Sequence, residues 1–282
     1  MADHTKQQGR EVPVHITPGR HAYPYQQSPA TPAPYYPQHP APARQAVAAP
    51  THARRPTVVI RGLQHTFAHF ALNVPQLDIM PGELTYIGGA SGSGKSTLLK
   101  VLALELMPAV GNIWVLDQFV RTLPAQYLDN LRGGGLTYIA QGHLGLTDNT
   151  AIQNIQRVLY DYDGIPWEEA GRQSQSALAL AGLPPYCFTQ RIKSLSGGEQ
   201  ARVAIAKVYA RGRPICLADE ILPSLDEHKR MDILRLLQRL AAAGFTVVLV
   251  AHQPELKQYF HRVVEMRTGQ IIGDERHAPK YL

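Results

Sequence analysis

The stretch "GASGSGKST", Gly89 to Thr97, places glycines at 89, 92 and 94 ahead of a lysine and two hydroxyl residues. Such glycines let the backbone turn so that the N–H groups of Gly89, Ser91, Gly92, Ser93 and Gly94 point inward around a phosphate. Lys95 then reaches the terminal phosphates of a nucleotide. Ser96 and Thr97 follow at a helix start, and the Ser96 hydroxyl is a ligand for Mg²⁺. A Gly-rich turn that matches by chance needs no strand before it and no helix after it. Here "LTYIGG" precedes the loop and "SGKSTLLKVLALEL" runs out of it.

Two carboxylates complete that chemistry. "PICLADE" is an apolar strand ending in Asp219 and Glu220. Asp219 suits the Mg²⁺ shell, and Glu220 suits orienting or deprotonating an attacking water. Gln141 after "LTYIA" and His252 after "FTVVLVA" also stand at strand exits. In a parallel α/β sheet ligands bind outside the carboxyl ends of the strands, so Lys95, Gln141, Asp219 and His252 are expected on one edge. There Gln141 would contact Mg²⁺ or the water, and His252 would hydrogen-bond the γ-phosphate. Taken singly, such residues are more often satisfied loop residues; the shared edge gives them weight.

A third stretch, "LSGGEQ" from Leu195 to Gln200, reads as a second anion site. Ser196, Gly197 and Gly198 open the helical run "EQARVAIAKVYA", where unpaired N–H groups and the helix dipole hold negative charge. It brings no lysine and no metal ligand, so it is half a site.

The elements that must position these residues alternate from Thr57 onward. "TVVI" and "LNVPQLDI" read as antiparallel-type strands. "NIWVL", a helix near 124–131, "LTYIA", "PICLADE", the helix "EHKRMDILRLLQRLAAAG", "FTVVLVAH" and "RVVEM" continue an α/β pattern. Residues 142–195 break it, with helical patterns in "AIQNIQRVLYDY" and "WEEAGRQSQSALALAGL" and no convincing strand. No window approaches the ~18 apolar residues of a membrane span, and the N-terminus lacks the apolar core of a signal peptide. Cys187 and Cys216 lack metal-ligand spacing and read as small packed hydrophobes of a reducing compartment.

Composition divides the chain near residue 56. Residues 1–56 hold 11 of the 22 prolines and no Leu, Phe or Trp. Such a segment cannot bury enough apolar surface to offset its ordering entropy and reads as a disordered tail rich in Pro, Ala, Tyr and His. It also carries most of the net positive charge, which leaves 57–282 near neutral and no nucleic-acid partner expected.

The phosphate loop, Gln141, "LSGGEQARVAIA", "ADE" with Asp219 and Glu220, Asp226 in the following loop, and His252 resemble, in order and spacing, the nucleotide-binding subunits of ATP-binding cassette (ABC) transporters over 57–282. The resemblance implies an α/β P-loop NTPase fold with a RecA-like core, an antiparallel β subdomain and a helical subdomain at about 142–195. It implies ATP and Mg²⁺ as cofactors and an aromatic stacked on adenine. Phe67 of "LQHTF" is the candidate, with a core position beside Phe70 as the alternative. It implies a homodimer or paired cassette, in which Ser196, Gly197 and Gly198 of one copy close on the γ-phosphate held by the other. It implies a separate transmembrane permease subunit docked near "GHLGLTDNTAIQNI", with the chain on the cytoplasmic face of the membrane.

"LPAQYLDNLRGGGLTYIAQ" and the short helical insertion look most like the lipoprotein-release and macrolide-export group. The chain departs from the family pattern in "DEILPSLD", where Pro223 and Ser224 replace the usual Ser and Ala, and in Lys207, where an Arg is common. A non-transport ATPase switch regulating a membrane-bound or soluble machine is the alternative. The translation-type members carry two cassettes per chain and the repair type a very long coiled coil, and this chain has neither.

Overall fold

The computed structural model describes residues 55–282, with 141, 143 and 223–225 excepted. The tail expected over residues 1–56, up to residue 54, and the Pro223/Ser224 departure therefore lie outside the described residues. The elements run β1 (Val58–Phe67), β2 (Phe70–Ile79), β3 (Leu84–Gly88), α1 (Lys95–Leu102), β4 (Val110–Val115), β5 (Gln118–Phe119), α2 (Ala125–Gly135) and β6 (Leu136–Ile139). Then come α3 (Ala151–Asp161), α4 (Trp167–Leu180), α5 (Gly197–Arg211), β7 (Ile215–Asp219), α6 (Glu227–Ala242), β8 (Thr246–Val250), β9 (Arg262–Arg267) and β10 (Gln270–Arg276).

All ten strands join one sheet in the order β5-β4-β1-β2-β10-β9-β3-β8-β7-β6. Its β9-β3-β8-β7-β6 half is parallel, and its four strands β5, β4, β1 and β2 are antiparallel. The fold is thus a P-loop α/β core joined to an antiparallel β part, with helices α3 and α4 inserted between β6 and α5.

The core strands are buried on both faces, which is why "ICLAD" is apolar up to its terminal Asp219 and "TVVLV" is apolar after its first residue. Alternation divides their side chains: Cys216, Ala218, Val247 and Leu249 pack with α3 to α6, whereas Ile215, Leu217, Val248 and Val250 pack with α1, β1 and β2. The sheet is therefore packed on both faces.

Several elements differ from the sequence reading, α2 and β10 most of all. Helix α2 runs through Gly133, Gly134 and Gly135, although glycine costs about 1 kcal/mol each in a helix. Its last carbonyls are taken from outside, since Arg211 Nη2 donates to Gly133 O and Arg213 Nη1 to Gly134 O, both at 3.1 Å. The same two arginines hold Asp163, which follows α3: Arg211 Nε and Nη2 donate to its carboxylate at 3.1 Å, and Arg213 Nη2 also contacts it. Asp163 is 9% exposed, so this ion cluster pins the helical insertion to the amino edge of the sheet. Asp163→Ala should leave two poorly solvated guanidiniums and cost about 3 kcal/mol, read as a lower urea midpoint at unchanged slope. The second difference is β10, a strand with no counterpart in the sequence reading, which pairs with β9.

Candidate functional site

The phosphate loop leaves β3 at the carboxyl edge and ends in α1. Gly89 adopts φ +139°, and a Cβ there would stand 2.2 Å from Met266 O; Gly94 adopts φ +99° and would meet the Phe70 ring at 2.6 Å. Only glycine fits either position. Lys95 is 4% exposed, and its Nζ donates to Gly89 O at 3.0 Å and Ala90 O at 2.9 Å, so the ammonium is bent over the loop itself. Burial lowers its pKa, while the charges of Glu220, Asp219 and Glu265 oppose the shift.

Asp219 ends β7, where register puts it opposite Val250 of β8. It is 2% exposed; burial pushes its pKa up from the ordinary carboxylate range, opposed by a hydrogen bond from Ser96 and assisted by the Glu220 charge. Its Oδ1 is buried without a hydrogen-bond partner among the described residues. A serine hydroxyl beside the carboxylate and a buried carboxylate oxygen without a partner make a hard-oxygen donor set of the kind Mg²⁺ takes when phosphates supply further ligands.

Glu220 follows directly at φ +48°, a left-handed conformation that costs a non-glycine residue of order 1 kcal/mol, and its N–H donates to Val250 O at 3.1 Å. His252, at the exit of β8, contacts the Glu220 carboxylate through Nε2, and its Nδ1 stands 3.2 Å from Gly89 O. One imidazole therefore spans the carboxylate and the phosphate loop. The structure brings Gly89, Lys95, Ser96, Asp219, Glu220 and His252 together at this edge. Gln141 lies outside the described residues; β6, which leads to it, ends with Ile139 opposite Ala218, beside the exit of β7.

Ser196 caps α5: its Oγ accepts from Glu199 N at 3.4 Å, and Glu199 Oε2 accepts from Ser196 N at 2.7 Å and Ser196 Oγ at 2.8 Å. These bonds fix the turn and lower the Glu199 pKa through the Ser196 backbone N–H first. Gly197 and Gly198 lie in the first turn, where N–H groups have no intrahelical acceptor.

Phe67 closes β1 at the hairpin with β2, 39% exposed, with its ring centroid 5.9 Å from Phe70 and 4.5 Å from His65. Phe70 is the ring that abuts the loop at Gly94, and Phe67 lies outside both apolar cores. Sequence reading missed the wall behind the loop. Gly269, in the turn between β9 and β10, donates its N–H to Ser93 O at 2.9 Å, and a Cβ there would strike Ala71 O. "RTGQ" is a turn signal, but nothing local says which loop it supports.

This fold and edge define a phosphate-loop nucleoside-triphosphatase. A family model described as ABC transporter matches residues 72–222, more than half of the chain. The chain is 37% identical over 207 residues to the macrolide export ATP-binding/permease protein MacB of Vibrio parahaemolyticus, covering 73% of this chain and 31% of that protein. It is 38% identical over 203 residues to the MacB of Chromobacterium violaceum, covering 70% and 30%. It thus spans under a third of the length of these curated relatives.

Among solved structures, a dimeric post-hydrolysis state of the ATP-binding cassette MJ0796 bound to ADP and Pi matches with TM-score 0.70 and 28% identity, over 79% of this chain and 100% of that one. CbiO1 of Clostridium perfringens, at 23% identity and TM-score 0.71 over 79% of this chain and 89% of that one, shares the fold. The chain belongs to the ABC transporter family, in which it matches the ATP-binding cassette.

Proposed function

We propose that this cassette powers a membrane transporter, with two cassettes closing head to tail on ATP and reopening after hydrolysis. The observation that carries the reading is the split between the two anion ends. The phosphate loop has its lysine, carboxylates and histidine gathered within one cassette. The Ser196–Gly198 turn has N–H donors and a helix dipole, and its own hydrogen bonds bring only the capping Glu199, with no lysine and no histidine. Two-fold pairing gives each loop the turn it lacks, and the dimeric MJ0796 cassette supports that arrangement.

In this reading the loop N–H groups of residues 89–94 cradle the phosphates, Lys95 moves from its own carbonyls to the terminal phosphates, and Phe67 stacks on adenine. Ser96 and Asp219, with Gln141, would hold Mg²⁺, which would supply positive charge against the phosphates. Glu220 orients the attacking water and takes its proton, and His252 holds Glu220 in place and faces the γ-phosphate. Residues 57–282 form the cassette, with a helical subdomain at about 142–195, and residues 1–56 stand apart from its chemistry.

No helix among the described residues is long and apolar enough to cross a membrane. In this reading the cassette acts on a membrane-spanning permease from the cytoplasmic face. The MacB relatives, which their name describes as ATP-binding/permease proteins, support coupling of the cassette to a permease. Affinity purification of the full chain from detergent-solubilised native membranes is expected to recover a polytopic membrane protein that raises the ATPase rate on reconstitution. Recovery of a soluble protein alone, with the same stimulation, would replace transport by the switch reading.

A further inference from the structure

Lys207 stands on α5 well beyond the Ser196–Gly198 turn, and its Nζ donates to Gly145 O at 2.6 Å. Gly145 belongs to the loop between β6 and α3, and its φ of +64° turns that carbonyl towards α5. A Cβ at Gly145 would sit 3.5 Å from Nζ, an ordinary contact, so glycine is required there for backbone conformation and not for space. Burial, then the Arg211 charge, lowers the Lys207 pKa, and no ion pair to a carboxylate is recorded for it among the described residues. An ammonium partly withdrawn from water needs an acceptor, and the loop carbonyl supplies it.

The same loop is fastened ahead of the turn as well. Ile192 N donates to Asn149 O at 3.0 Å, and Lys193 Nζ pairs with Asp148 at 2.8 Å. Buried Asn154 braces the loop from within: its Oδ1 accepts from Thr147 N at 2.7 Å, and its Nδ2 donates to Thr147 O and Thr150 O at 3.0 Å. Residues 145–150 are thus attached before the turn at Ile192 and Lys193 and beyond it at Lys207.

We infer that Lys207 is a positioning residue: it makes the loop after Gln141 and the signature helix one mechanical unit, so that a displacement of the loop carries Ser196–Gly198 with it. The inference rests on the reading of that turn as half of a composite ATP site. Lys207→Met keeps the apolar stem and the helix propensity and removes the donors; Lys207→Arg keeps a donor.

In nucleotide-free full-length protein, Lys207→Met is expected to speed hydrogen exchange at residues 144–150 and 195–199 together, with β3 and β7 unchanged. In turnover assays kcat should fall about 2–30-fold at unchanged KM for ATP, and Lys207→Arg should restore both readouts. Faster exchange in the loop alone, an unchanged kcat, failure of Lys207→Arg to rescue, or faster exchange throughout the sheet would each overturn the role. Because exchange is read without nucleotide, failure there is distinct from failure of the composite-site reading, which the Ser196 variant below decides.

Discussion

Glu220→Gln is expected to lower ATP turnover about 10²–10⁴-fold while ATP binding stays near the wild-type level. The amide has the size of the carboxylate and can still hydrogen-bond His252 Nε2, so the strained turn at φ +48° and the bridge to Gly89 O persist. What disappears is the group able to accept a proton from water. Ser96, Asp219 and Lys95 are untouched, so the phosphates keep their ligands. In the proposed cycle hydrolysis reopens the dimer, and gel filtration of the variant with ATP should therefore show a persistent dimer. Turnover close to wild type would remove Glu220 from the mechanism.

Ser196→Arg and Lys95→Ala should fail in different ways. Lys95→Ala removes a charged donor to the terminal phosphates and is expected to weaken ATP binding to a single cassette about 10–100-fold. Ser196→Arg should leave that binding intact and abolish hydrolysis, because a guanidinium then occupies the place where the turn would meet the partner's γ-phosphate. The change also breaks the capping box with Glu199, at about 1 kcal/mol, which a small drop in melting temperature would report. Isothermal titration with ATP under conditions where the chain is monomeric separates the two. Loss of binding in the Ser196 variant would mean that the turn serves its own cassette.

The sequence makes the site's parts legible where a local pattern carries the physics. The phosphate loop needs a strand, glycines and a helix in succession, and the apolar runs "ICLA" and "VVLV" declare buried parallel strands. Their shared carboxyl edge follows from topology, so Lys95, Asp219 and His252 could be grouped before any coordinates. β10 escaped because its side chains are half-buried or exposed, leaving no apolar alternation to read. β1 continues to Phe67 through a polar stretch whose partner, β2, does the pairing. The extension of α2 through three glycines depends on arginines nearly eighty residues further on. Gly269 behind the phosphate loop and Lys207 against Gly145 are likewise long-range meetings. Chemistry was written locally, and its supports were written in the tertiary structure.

The dependence of specific ATPase activity on protein concentration tests the composite site most directly. With saturating ATP and Mg²⁺, the full chain should show activity per molecule that rises with concentration and levels off where sedimentation shows the dimer to be complete. Activity per molecule that stays constant down to concentrations where the chain is monomeric would contradict the account, because one cassette would then hold a whole site.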